Sequence, residues 1–277
     1  MAHQQGEKLL KTKIAVTFDV ELRHLALSAL SIPLDMLDRH NIRATFFVLG
    51  RLADRNPEVP MEILSRGHEL GCHGYVHDPY DMKEFSEVET DVEKGTRAVR
   101  KFGDVVGFRA PYFRPHRRLA TVLADFGYRY DSSVPAKRFD LFMGRTNNPY
   151  NLFAPMKPYN PSTENIFRKG NSEILEIPLP CFILPLLGVT MRNAGLKFFI
   201  RFTNFVNFFS DFIVFDIHVW EFLEAFDVPV KRHTVFFHRR KKGKETALMF
   251  EALLSHLKQK GTFVLLSDLV DKGRDVA

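Results

Sequence analysis

Short apolar runs that each end in polar residues recur along the chain, and stretches of helical period separate them. Ile14-Ala15-Val16-Thr17-Phe18 runs into Asp19 and Glu21. In a strand the side chains alternate, so Asp19 and Glu21 share a face and Val20 points away. A helix is predicted around Ile32 to His40, with Ser31 as its cap and Pro33 in its first turn. Arg43 to Leu49 reads as the second strand and Met61 to Arg66 as a short helix, and the third strand, His68 to Cys72, leads straight into His73. Val88, Val92 and Val99, with Phe85 and Phe102 near the ends, give the stripe of a helix over Glu84 to Phe102 that Gly103 stops. Val105 to Phe108 is a fourth strand ending in Arg109-Ala110-Pro111-Tyr112. A helix over Arg117 to Phe126 leads to a fifth strand, Tyr128 to Tyr130, which ends in Asp131-Ser132-Ser133.

The second half is less regular. Val134 to Asn171 shows no period, and a stretch of that length is expected to be a functional lid or a mobile segment. Glu173 to Pro178 resumes a strand. Between Gly195 and Asp211, Phe198, Phe199, Phe202, Phe205, Phe208 and Phe209 recur at helical spacing, which fits core packing, a groove for a lipid tail or contact with a membrane surface. Phe212 to Val219 reads as a strand placing Val214, Asp216, His218 and Trp220 on one side. A helix over Glu245 to Gln259, a strand at Thr262 to Leu266 and a cap at Ser267 to Asp271 close the chain. Alternating strands and helices predict parallel strands with helices outside, in one barrel-like domain of about seven or eight βα units. We expect a tail over 1–12 and the domain over 13–272, without repeats or linkers.

Composition adds bounds. A chain of 277 residues with 45% hydrophobic and 26% charged residues is an ordinary globular protein, apart from its 27 phenylalanines. Met1 to Lys13 is polar, and no window is long and apolar enough for a spanning helix, so a cytoplasmic protein is expected, with peripheral contact to the inner membrane face left open. Cys72 and Cys181 fit free thiols in a reducing compartment. The net charge of +6 is densest at His238-Arg239-Arg240-Lys241-Lys242-Gly243-Lys244, read either as a solvated loop or as a site for a phosphate-bearing substrate or an anionic membrane. Nucleic acid is not an expected partner, since no aromatic residues interleave with that block.

Asp19/Glu21, His73/His77, Arg109 to Tyr112, Asp131 to Ser133 and His218 all fall at or just after predicted strand ends, which in a βα barrel form one face. Two imidazoles and a carboxylate leave an open coordination position, as a catalytic metal site requires. Cys72 is turned away from His73 by alternation and reads as a core residue. Trp220 shares a face with His218 and either stacks on a ring of the substrate or packs. His24, His40, His116, His233 and His256 read as surface or cap histidines.

In order and wording, Thr17-Phe18-Asp19, His73-Gly74-Tyr75-Val76-His77, Gly107 to Tyr112, Gly127 to Ser133 and His218-Val219-Trp220-Glu221-Phe222 resemble the five motifs of the polysaccharide deacetylases, the NodB-homology or carbohydrate esterase family 4 proteins. The resemblance spans about residues 12–270. It implies a distorted (β/α)7 barrel and metal-dependent removal of an N-acetyl group from a sugar. It further implies that His73 and His77 are metal ligands, Asp19 the catalytic base held by Arg109, the Tyr112 backbone N–H an oxyanion donor, and His218 the general acid oriented by Asp131. Asp216 competes with Asp131 for that last role. The family's commonest first motif has a second acid directly after the base. Here Val20 takes that position, and Glu21 becomes the third ligand, as in an Asp-x-Glu variant of the motif; a strand-end carboxylate beside the site is its other reading.

The expected activity is therefore hydrolysis of an N-acyl amino sugar, free, lipid-linked or nucleotide-linked, with a divalent metal, Zn2+ before other transition metals. Other C–N hydrolases, of the deformylase or allantoinase kind, are the alternative within the same chemistry. A glycan-binding pseudoenzyme that lost turnover through Val20 is the alternative outside it.

Overall fold

The computed structural model describes residues 12–21, 26–138, 149–182, 184–210, 212–224 and 241–274. The start of the N-terminal tail, His24, His233, the run Thr234 to Phe237 and the basic residues His238 to Arg240 lie outside them.

The apolar runs become parallel strands for the reason their composition gives: they are buried on both faces. Strand β1 (Thr12–Val20) is the hub. Along one edge it pairs with β9 (Phe212–His218) over the whole register from Lys13↔Phe212 to Asp19↔His218. Its other edge is shared. β2 (Thr45–Val48) takes the upper half from Thr17 to Val20, and β10 (Gly261–Phe263) takes Thr12 to Ile14. From β2 the sheet continues in parallel through β3 (Glu69–Cys72), β4 (Gly107–Phe108), β5 (Tyr130–Asp131) and β7 (Leu175–Glu176). A two-stranded piece, β6 (Pro135–Ala136) with β8 (Leu179–Pro180), extends the last pair, and a bridge from Leu187 to Asp216 meets the free edge of β9. The result is the curled parallel sheet, in one domain, that the alternation predicts.

Helices cover the outside. α1 (Ala26–His40) begins before the predicted cap, so Ser31 is internal and Pro33 sits mid-helix. Ala29, Leu30, Leu34 and Leu37 are all buried, and the burial of that stripe outweighs the backbone hydrogen bond lost at Pro33. α2 (Gly50–Arg55) was not predicted, and α3 (Glu58–Ser65) starts earlier than Met61. α4 (Phe85–Val99) follows its valine stripe closely, opened by a reciprocal cap between Glu84 and Glu87. α5 (Leu119–Asp125) matches its prediction, whereas α6 (Gly188–Ala194) was hidden in an irregular apolar run. α7 (Leu196–Phe209), α8 (Lys244–Lys258) and α9 (Ser267–Arg274) complete the shell.

The described part of the excursion after Val134 is packed. Ile166 and Phe167 are buried, Tyr159 donates its hydroxyl to the Ile166 carbonyl, and backbone bridges run from Tyr159 to Glu176 and from Pro161 to Lys169. These residues form a wall, not the mobile lid their lack of period predicts.

Candidate active site

Parallel pairing puts the ends of β1, β3, β4 and β9 on one rim, and their terminal residues converge there. Asp19 and Glu21 come from β1, with Val20 pointing into the core between them. His73 follows β3, and the chain then turns at Gly74 (φ 73°) to bring back His77. A Cβ at Gly74 would lie 2.4 Å from the Tyr80 hydroxyl and 2.7 Å from Oδ1 of Asp91, so glycine is required by both conformation and space. Asp91, from α4, holds this turn. Its carboxylate accepts the backbone N–H groups of Tyr75 and Val76, each at 3.0 Å, and the Tyr80 hydroxyl at 2.5 Å.

Glu21, His73 and His77 offer ligand atoms that lie within 4.8 Å of one another, and Nε2 of His77 is in direct contact with Glu21 Oε2. His73 Nδ1 donates to the Arg109 carbonyl at 2.8 Å, which fixes the tautomer and leaves the Nε2 lone pair aimed into the cradle. That Nε2 is buried and has no hydrogen-bond partner. Burial lowers the His73 pKa to about 4, so the ring is neutral at working pH. For Glu21, burial raises the pKa, but His77 outweighs it and the carboxylate stays ionised. Two imidazoles and one carboxylate, with an orphaned ring nitrogen on His73, fit a divalent transition metal. Asp19, Asp216 and His218 form a second such group, but Arg109 already donates to both carboxylates there, and its charge repels a cation.

Arg109 is the buried organiser. Nη1 donates to Asp19 Oδ1 at 3.0 Å, to Asp216 Oδ1 at 2.6 Å and to Thr17 Oγ1 at 2.9 Å. Nε and Nη2 reach the backbone and hydroxyl oxygens of Ser132. The guanidinium lies over the rings of Phe47 (4.1 Å) and Phe113 (4.8 Å). Burial works against ionised Asp19, yet its pKa is lowered, with His73, Arg109 and His218 as the opposing influences; since His73 is neutral, the two cations dominate. Asp216 pays for this arrangement: burial and the neighbouring Asp19 raise it to about 7. The other Asp19 oxygen, Oδ2, lies 3.7 Å from His73 Nε2, beside the cradle.

After Arg109 the chain makes a strained turn, with both Tyr112 (φ 62°) and Phe113 (φ 53°) left-handed. The turn is braced by Ser133 Oγ, which accepts the Ala110 N–H at 2.7 Å and donates to Asp131 at 2.6 Å. The Tyr112 ring sits 4.1 Å from that of His77, at the cradle's edge.

Two sequence-based expectations change here. Asp131 does not orient His218. It is buried against Ser133 and Glu176, where burial raises its pKa to about 6. His218 is held by Glu221, whose Oε1 accepts the His218 backbone N–H at 3.1 Å and faces ring Nδ1 at 3.3 Å. Buried Arg192, from α6, donates to the other Glu221 oxygen at 2.5 Å. Burial lowers the His218 pKa, but Glu221, Glu21 and Asp216 together raise it to about 10, so the ring is protonated.

Trp220 is the second change. The backbone leaves the strand at His218 for a 3-10 turn over Val219–Phe222, so alternation no longer applies, and Trp220 is only 3% exposed. It donates its indole N–H to Glu21 Oε1 at 3.2 Å, and its ring packs 5.3 Å from that of His218. Cys72 and Cys181 are both buried free thiols.

The rim thus belongs to a βα barrel and carries a group of residues that could hold a metal ion, beside an ionised carboxylate and a protonated imidazole. A family model described as polysaccharide deacetylase matches residues 6–130, a little under half of the chain, so that part of the chain is similar to this family. It is 37% identical over 82 residues to a peptidoglycan-N-acetylglucosamine deacetylase of Listeria monocytogenes, an overlap of 30% of this chain and 17% of that protein. The chain thus spans well under two thirds of that relative. Among solved structures, a Mycobacterium smegmatis protein described as a polysaccharide deacetylase superposes with a TM-score of 0.67 at 19% identity, covering 99% of this chain and 93% of the other. An allantoinase, PuuE, superposes with a TM-score of 0.66 at 10% identity, over 95% and 90%. The fold is therefore common to more than one chemistry, and His218 and Glu221 lie beyond the profile match.

Proposed function

We propose that the protein is a metal-dependent hydrolase that removes the N-acetyl group from an amino sugar or glycan. The observation behind this reading is the arrangement beside the cradle: ionised Asp19 and protonated His218 are register partners on β1 and β9, Asp19 lying 3.7 Å from His73 and His218 lying 3.8 Å from Glu21. Glu21, His73 and His77 would hold the ion, with Zn2+ the best match to a two-nitrogen, one-oxygen donor set. A divalent ion held there would supply Lewis acidity for the amide carbonyl and for the water near neutral pH. Asp19 takes the proton of the attacking water, and Arg109 keeps the carboxylate ionised until it does. The Tyr112 backbone N–H faces the developing oxyanion, where one such donor is typically worth about 10² to 10³ in rate. His218 then protonates the departing amine, a poor leaving group otherwise, while Glu221 holds the ring by Nδ1. Asp131 acts at one remove, through Ser133 on the turn that carries Tyr112.

The proposal extends to an N-acyl sugar that is lipid-linked or nucleotide-linked as well as to a free one. A catalytic domain over 13–272 and a cytoplasmic location complete it, the latter supported by two reduced, buried thiols. The test is to incubate the divalent-metal-loaded protein with chitooligosaccharides, an N-formyl amino sugar and allantoin, and to quantify acetate, formate and ureide. Acetate as the dominant product supports the proposal. Formate or ureide alone would move it to a neighbouring hydrolase chemistry, and no product from any would leave a binding protein.

A further inference from the structure

The phenylalanine series of α7 splits between two faces. Phe199, Thr203 and Val206 are buried against the core. On the opposite face Phe198 (48%), Phe205 (49%), Phe208 (85%) and Phe209 (48%) are exposed. Their rings form one continuous surface. Phe198 stacks on Phe202 (6.2 Å), Phe202 on Phe205 (6.4 Å), and Phe209 meets both Phe205 and Phe208 at 5.2 Å. Phe182, from the segment after β8, adds a further ring 5.2 Å from Phe205 and 5.0 Å from Phe209. None of these residues touches the rim chemistry, so the catalytic proposal does not account for them. An aromatic surface of this kind left in water forgoes a large burial gain and marks a place of contact.

Charge identifies the contact. Lys197 and Arg201 lie on the same exposed stripe, one helical turn apart, and the helix contains no Asp or Glu. Neither cation has an ion-pair partner among the described residues. We propose that this face of α7 docks on the surface of an anionic lipid bilayer, with the rings at the acyl boundary and Lys197 and Arg201 on headgroup phosphates. A second copy of the chain suits the face less well, because a two-fold contact would oppose cations to cations with no acid between them. Spanning is excluded for the described helices, none of which is long and apolar enough to cross a membrane.

The proposal is independent of what the rim hydrolyses. It is tested by co-sedimenting the full chain with phosphatidylglycerol-containing vesicles and with pure phosphatidylcholine vesicles. Binding to the anionic vesicles is expected, falling by about tenfold or more in the double variant Phe208→Ser, Phe209→Ser. Lys197→Glu with Arg201→Glu should weaken it by about fivefold or more per cation and flatten the difference between the two lipids. The exposed positions allow each variant to keep the parent's melting temperature, which is measured alongside. Absence of binding to anionic vesicles, or binding that the phenylalanine variant leaves unchanged, would overturn the proposal. So would a concentration-dependent dimer, seen by light scattering, that the same variant dissolves, since that assigns the face to a second copy.

Discussion

The indole N–H of Trp220 donates to Oε1 of Glu21 across 3.2 Å, joining the turn after β9 to the residue just past β1. Glu21 is thereby held on Oε1 by Trp220, while Oε2, in contact with His77, is buried without a hydrogen-bond partner and faces the cradle. Partners of a metal-binding carboxylate fix its orientation, and losing one typically costs about 10- to 100-fold in metal affinity. Trp220→Phe keeps the packing and removes only the donor. Calorimetric titration of the metal-stripped protein should therefore show weaker divalent-metal binding of that size at unchanged stoichiometry. Equal affinity in the two proteins would show that Trp220 only packs.

Asp19 is separable from the cradle it borders. Asp19→Asn keeps a hydrogen-bond acceptor for Arg109 at 3.0 Å but cannot take a proton. Acetate release should fall by about 10² to 10⁴ while bound metal per chain stays the same. Comparable turnover in the variant would remove Asp19 from the role of base.

Much of this rim was legible because mainly apolar strands run into polar residues at their ends. Asp19, His73, Arg109 and His218 stand at or just past the ends of β1, β3, β4 and β9, and parallel pairing brings them onto one rim, where the first three are buried. Glu21 was legible by period, as Val20 packs inward and Glu21 does not. The errors arise where a local rule was carried beyond its element. Alternation was extended from His218 to Trp220, although the chain turns at Val219. Asp131 was matched to His218 by analogy, whereas the partner, Glu221, is three residues along and is itself charged by Arg192, 29 residues away on an unpredicted helix. No local pattern encodes a contact of that kind. Likewise the spacing of the α7 phenylalanines gave the helix correctly but could not say which rings face the core.

The Arg192–Glu221–His218 chain makes a pH prediction. Burial lowers the His218 pKa, but Glu221 leads the influences that raise it to about 10, so the protonated form that the proposed mechanism requires is present below that value and lost as pH rises through it. Glu221→Gln removes the charge that favours the imidazolium. The alkaline limb of the pH–rate profile should move to lower pH than in the parent. A bound metal ion lowers the limb in both proteins, so the difference between the two profiles is the quantity to read. Coincident limbs would separate Glu221 from the titration of His218. Arg192→Leu is the harsher change, since it leaves the buried Glu221 carboxylate unpaired, and breaking a buried pair typically costs about 3–5 kcal/mol.

His68 supplies a stability prediction away from the rim. Its Nδ1 accepts the Ala44 N–H at 3.2 Å, its ring packs 5.2 Å from that of Phe46, and Nε2 is buried without a hydrogen-bond partner. Burial lowers its pKa to about 4 from an ordinary 6.5, with Asp38 opposing and Arg66 and Arg43 assisting. Between those values the unfolded chain binds a proton that the folded chain does not, so stability rises with pH across this window and levels off above it. The contribution is complete above about 6.5 and is lost as pH falls toward 4. His68→Asn retains an acceptor for Ala44 but has nothing to protonate. Its melting temperature should start lower than the parent's near neutral pH and fall less on acidification, so the two curves converge between about pH 6.5 and 4. The buried carboxyls Asp131, Glu176 and Asp216 titrate identically in both proteins and cancel in the comparison. Parallel curves would mean that His68 takes up its proton in the folded chain as readily as in the unfolded one.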